Sequence, residues 1–116
     1  MSPFWLNDWQ DADLSQLQQL FALTTNELDN IELLLASHHQ EDDAGYAFIL
    51  FSSNQCLYEV NASHDSELDL SGQWQPEETT VEALLFRLHR GNLGLGQQGD
   101  DLFANDLLAV LKRFMQ

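Results

Sequence analysis

The chain has 116 residues, of which 44% are hydrophobic, and it sets 19 Asp and Glu against only four Lys and Arg, for a formal net charge of −15. That length suits one domain spanning 1–116 with a real core, and the apolar content excludes the acidic disordered class, in which high net charge accompanies low hydrophobicity. The charge also excludes direct binding of nucleic acid or an anionic membrane by most of the surface, because both require Lys and Arg to neutralise phosphates.

Along the chain, Asp11 or Asp13 can cap a first helix built on Leu14, Leu17, Leu20 and Phe21 and ending near Leu23. Thr24 with Glu27 has the form of a capping box. Leu28, Ile31, Leu34 and Leu35 then supply the buried stripe of a second helix, which turns Glu27, Asp29 and Glu32 outward. Residues 37–45 read as a polar loop. Residues 46–51 and 56–60, aromatic and β-branched around Ser52, Ser53, Asn54 and Gln55, read as a β-hairpin. Leu68, Leu70, Gly72 and Trp74 alternate with polar residues, which predicts a third strand stopped by Pro76.

Glu77 and Glu78 favour the positive end of a third helix on Val81, Leu84, Leu85 and Leu88, with Arg87 and Arg90 complementing its negative end before Gly91. A glycine-bearing connection, 91–99, leads to Asp100 or Asp101 as cap of a last helix on Leu102, Phe103, Leu107, Val110, Leu111 and Phe114. The expectation is an α+β domain in the order ααβββαα, a small three-stranded antiparallel meander with four helices packed on one face.

Charge is unevenly placed. Arg87, Arg90, Lys112 and Arg113 are all the cations, whereas 16 of the 19 acidic residues precede Arg87, so residues 1–86 carry −16 and residues 87–116 carry +1. A net charge of about 2 to 8 in magnitude keeps a small domain dispersed, and more than that opposes compaction by self-repulsion. The excess points to selection by a partner, and a basic protein is the favoured one. Residues 1–10 lack a positively charged segment followed by an apolar run, no stretch reaches the roughly 20 apolar residues of a membrane span, and the single Cys56 cannot form an internal disulfide. These features predict a cytoplasmic protein.

Candidate chemistry is sparse. Two short helices over 14–33 invite a helix-turn-helix reading, but Glu27, Asp29 and Glu32 on a recognition helix would repel phosphates. His38, His39, Glu41, Asp42 and Asp43 offer divalent-ion ligand types without metal-site spacing, and a solvated loop is the better account. Cys56 reads as a small hydrophobe in a strand. His64 with Asp65 and Glu67 is a weak candidate for a metal ligand set or a catalytic base, in a stretch where strand connections collect polar residues. Gly91, Gly94, Gly96 and Gly99 form no phosphate-binding pattern. Trp74 reads as core, and Trp5 and Trp9 as a staple on the core in preference to exposed anchors. No catalytic residue and no cofactor are assigned.

Residues 46–94 carry three strings that resemble a group of small uncharacterised phage and bacterial proteins. They are Leu57-Tyr58-Glu59-Val60-Asn61-Ala62-Ser63-His64, Leu70-Ser71-Gly72-Gln73-Trp74-Gln75-Pro76-Glu77-Glu78-Thr79 and Leu88-His89-Arg90-Gly91-Asn92-Leu93-Gly94. Such relatives tend to have cysteines after the Ser-His pair, where this chain has Asp65 and Glu67. The resemblance implies a phage or mobile-element setting and no particular activity.

The resulting expectation is a non-enzymatic acidic protein-binding module, an inhibitor of DNA-mimic or anti-defence type that masks a basic nucleic-acid-binding surface on a host protein. Its partner surface is expected to comprise Glu27, Asp29 and Glu32 on the second helix with Glu41, Asp42 and Asp43 in the loop beside it. An immunity protein or effector chaperone is one alternative, and a small metal-dependent hydrolase centred on His64, Asp65 and Glu67 is another. Phe114 and Met115 near the end of the last helix, or an exposed hairpin edge, could support a dimer.

Overall fold

The structure is a computed structural model that describes residues 3–41, 43–67, 69–96 and 99–114. Asp42, Leu68 and Met115, used in the expectations above, lie outside them. The elements are β1 (Phe4–Asn7), α1 (Leu14–Leu20), a 3-10 turn (Thr25–Leu28), β2 (Glu32–Glu41), β3 (Ala44–Ser53), β4 (Cys56–His64), β5 (Glu77–Thr79), α2 (Val81–His89) and α3 (Ala104–Phe114).

The strands form one sheet in the order β1-β2-β3-β4-β5, with β1 parallel to β2 and the other pairs antiparallel. A parallel pair needs a long crossover, usually containing a helix, and residues 8–31 provide it through α1 and the 3-10 turn. Both faces of the sheet are covered. Alternating side chains send Trp5, Ala36, Ala47, Ile49, Phe51 and Val60 to a core shared with Trp9, Leu17, Phe21, Leu70 and Trp74. The opposite set, with Phe4, Leu35, Phe48 and Leu50, packs against Leu84, Leu107 and Leu111 of α2 and α3.

This architecture remains α+β, but it overturns the three-stranded meander with four helices in the order ααβββαα on one face. The expected second helix is a four-residue 3-10 turn followed by β2. The capping box does form, with Glu27 Oε2 accepting the Thr24 N–H at 3.0 Å, but Asn30 takes a positive φ of 65° and the chain leaves the turn extended. Leu33, Leu34 and Leu35 then enter a strand buried on both faces, where a near-continuous apolar run replaces alternation. A bulge between Leu33 and Leu35 places the consecutive Leu34 and Leu35 in the same core.

The polar loop expected over 37–45 is mostly strand, with β2 running to Glu41 and β3 starting at Ala44. The hairpin over 46–51 and 56–60 is present and longer than expected; Asn54 and Gln55 connect it with φ of 53° and 70°, the two positive values of a type I′ turn. The expected third strand is an irregular segment whose buried Leu70 and half-buried Trp74 pack onto the sheet, with Trp74 5.2 Å from Phe21 and 5.7 Å from Phe51 between ring centroids. Glu77 and Glu78 belong to β5, and α2 begins only after Thr80, whose hydroxyl accepts the Ala83 N–H at 3.0 Å.

Two helix starts follow the acidic residues named for them. Asp13 accepts the Gln16 N–H at 3.0 Å and Asp101 the Ala104 N–H at 2.7 Å. Gly94 carries a φ of 82° where a Cβ would lie 2.7 Å from the Ala104 backbone, so only glycine lets this connection close onto the start of α3. Among the described residues no helix is long and apolar enough to cross a membrane.

Candidate functional site

The charge bias of the sequence becomes a bias between layers. Residues 8–31 and 65–75, which cover one face of the sheet, carry Asp8, Asp11, Asp13, Glu27, Asp29, Asp65, Glu67 and Asp69, all exposed, and no Lys or Arg. The four cations lie in α2, at its C-cap and in α3, over the other face. Arg87 does not simply complement a helix end. Its Nη1 donates to both carboxylate oxygens of the buried Glu59, at 2.8 and 2.7 Å, and Asn61 donates to the same carboxylate at 2.8 Å. Arg90 lies over the Phe86 ring at 5.4 Å and Arg113 over Phe4 at 5.5 Å.

Of the six carboxylates expected to act together, the five among the described residues are divided. Glu32 opens β2 and Glu41 closes it, a separation of roughly 30 Å along an extended strand. Glu27 and Asp29 lie in the segment that leads into the start of β2, not on an α-helix. Glu41 and Asp43 flank the β2–β3 turn, at the same end of the sheet as Asp8 after β1 and as Asp65 and Glu67 after β4. That end is the one the topology makes most acidic.

It also brings together two histidines 26 residues apart. His38 on β2 and His64 at the end of β4 project to the same face, one on each side of β3, and their Nε2 atoms are 2.7 Å apart. Their ring planes differ by 5° with centroids 5.0 Å apart, so the rings meet edge to edge. His38 Nδ1 lies 3.0 Å from Asp8 Oδ2, which also accepts the Gln40 N–H at 3.1 Å. His64 Nδ1 lies 2.6 Å from the Asp65 carbonyl oxygen. Both rings are buried, and Trp9 stacks on His38 at 5.3 Å. Gly45 makes the approach possible, because a Cβ there would collide with the His64 ring and come within 2.9 Å of His38 Nε2.

Burial pushes the His38 imidazole below the usual histidine range; the hydrogen bond and charge of Asp8 act the other way, while His64 and His39 add to the lowering. The sequence reading placed His38 in a loop and His64 with Asp65 and Glu67, and it missed Asp8 and Gly45. A glycine inside a strand signals close approach of another group, but nothing in sequence spacing shows that two distant histidines supply it. The Asp65 contribution to the array is its carbonyl, and Glu67 makes no hydrogen bond to His64. Among the described residues no group of three or more His, Cys, Asp or Glu is arranged to hold a metal ion. Cys56 is half-buried at the start of β4, Trp9 is buried, and Trp5 packs on the same core.

A cavity of about 620 Å³ opens at this end on the α2–α3 side, bordered by His39, Tyr46, Phe48, Asn61, Arg87 and Leu93. Much of its polar lining is already engaged: Arg87 with Glu59, His39 with Glu41 at 2.9 Å, and the Gln73 amide with both the N–H and the carbonyl of Ser63 at 3.0 and 2.7 Å. The string from Gly72 to Thr79 thus has structural uses: Gln73 pairs with β4 as a strand would, Trp74 fills the core, and Glu77 to Thr79 extend the sheet.

Fold and site together define a small α+β domain with a covered mixed sheet, one acidic layer and a buried histidine pair. Comparison with protein-family models, with curated proteins and with solved structures finds no match to this chain.

Proposed function

We propose that this chain is a non-enzymatic, cytoplasmic module that binds a basic protein through its acidic layer and masks a surface that otherwise meets nucleic-acid phosphates. The observation that supports this is the segregation of charge: eight exposed carboxylates and no cation over one face, with every Lys and Arg over the other. Carboxylates arrayed without internal cations project a field several kT deep, which attracts a basic partner and accelerates encounter. The surface is centred on Asp8, Glu41, Asp43, Asp65 and Glu67, at the end of the sheet where β1, the β2–β3 turn and β4 converge. Glu27, Asp29 and Glu32 lie at the far end and extend the field without belonging to that centre.

The experiment is capture of proteins from a host lysate on the immobilised chain, with affinity for the retained protein then measured as salt is raised. A basic, nucleic-acid-binding protein whose affinity falls about tenfold or more between low and moderate salt, and which nucleic acid displaces, is the expected result. A retained protein with salt-independent affinity removes the electrostatic mechanism.

A further inference from the structure

We propose that His38 and His64 form a buried site for one bound proton, an imidazole–imidazolium pair anchored by Asp8 at one end and by the Asp65 carbonyl at the other. The argument is a count of hydrogens. A backbone carbonyl only accepts, so the 2.6 Å contact requires a hydrogen on His64 Nδ1. Asp8 Oδ2 accepts the Gln40 N–H and, as a carboxylate, also accepts from His38 Nδ1. Each neutral imidazole has a single N–H, and both are then committed at Nδ1. The two Nε2 atoms would face each other as bare lone pairs across 2.7 Å.

Lone pairs at that distance repel, whereas the same distance is that of a short, charge-assisted hydrogen bond. A third hydrogen, taken from solvent and carried on either Nε2, gives three donors for three contacts. The resulting positive charge faces the Asp8 carboxylate. The surroundings suit this geometry: Gly45 leaves the space, Trp9 stacks on one ring, and both rings are shielded from water. Around the pair, α1 presents the uncharged Gln16 and Gln19 and the segment after β4 presents Asp65, Glu67 and Asp69, while His39 of β2 and Tyr46 of β3 neighbour it from the opposite side of the sheet.

Burial opposes charge on His38, and the pair takes up its proton as the pH falls. Uptake places one positive charge beside Asp8 and Asp65 and weakens the field of the acidic end. Only that consequence rests on the partner-binding reading; the proton site stands or falls without a partner.

The test is nitrogen-15 NMR of the histidine rings from about pH 8 down to about pH 5. The expected result is a scalar coupling between His38 Nε2 and His64 Nε2 across a shared, strongly deshielded proton, growing as the pH falls. It should vanish in His64→Gln and in Gly45→Ala, which keeps both histidines but parts the rings, and survive in His39→Gln. Absence of the coupling in the unaltered protein at every pH, or a His38 titration unchanged by His64→Gln, overturns the proposal. So does one-to-one uptake of zinc or copper(I) that replaces the proton between the rings.

Discussion

At the scale of single residues, the buried polar groups set the sharpest constraints. Glu59 is 8% exposed at its side chain and depends on Arg87, itself 35% exposed, and on Asn61. Removing one member of a buried ion pair leaves the other charge without compensation, at a cost of about 3–5 kcal/mol, less where solvent reaches the pair. Arg87→Met should therefore destabilise the fold by roughly 2–3 kcal/mol in urea unfolding, and Glu59→Gln in the same background should recover part of the loss. His38 has a definite sign. Its folded-state pKa lies below the unfolded value of 6.5, so the unfolded chain binds the proton more tightly. Its contribution is present above that value and is lost as the pH falls through the folded pKa. Unfolding free energy should accordingly decline from about pH 7.5 toward about pH 5.5, and His38→Gln should flatten that decline. Completing the third contact of the array works against this cost of charging a buried ring.

At the scale of elements, the β3–β4 hairpin contains a correctable strain. Gln55 holds a φ of 70°, a conformation that costs an L side chain roughly 1–2 kcal/mol. With Asn54 already suited to the first position of the turn, Gln55→Gly should raise stability by about 0.5–1 kcal/mol, read as a higher thermal midpoint. This hairpin and the two C-terminal helices were legible in the sequence because each signal is local: a turn between β-rich runs, a Thr or Asp cap, a stripe at helical spacing. The second helix was misread because Leu28, Ile31, Leu34 and Leu35 satisfy helical spacing as well as a strand that is buried on both sides. Burial in a covered sheet overrides the helix propensity of leucine. Nor could local pattern show β1, a four-residue strand whose partner lies 31 positions onward, from Phe4 to Leu35. The histidine pair was hidden for the same reason. Its existence depends on register across β3, with Gly45 opposite His64 and Ala47 opposite His38.

At the scale of the whole molecule, the net charge of −15 is arranged as much as accumulated. The sheet separates a layer without cations from one that holds all four, and the strand order collects carboxylates from three distant segments at one end. The expected grouping of Glu27, Asp29 and Glu32 with Glu41, Asp42 and Asp43 followed from sequence proximity, and β2 separates the first three from Glu41 and Asp43 by its own length. Binding should consequently depend on which face is altered and not only on total charge. The most direct measurement compares two double charge reversals of equal magnitude against the captured basic partner: Asp43→Lys with Glu67→Lys on the acidic side, and Glu82→Lys with Asp106→Lys on α2 and α3. The account predicts that the first set lowers affinity at least about tenfold at low salt while the second changes it by less than about threefold. Equal losses from both sets would contradict it, because they would show that the partner responds to net charge alone.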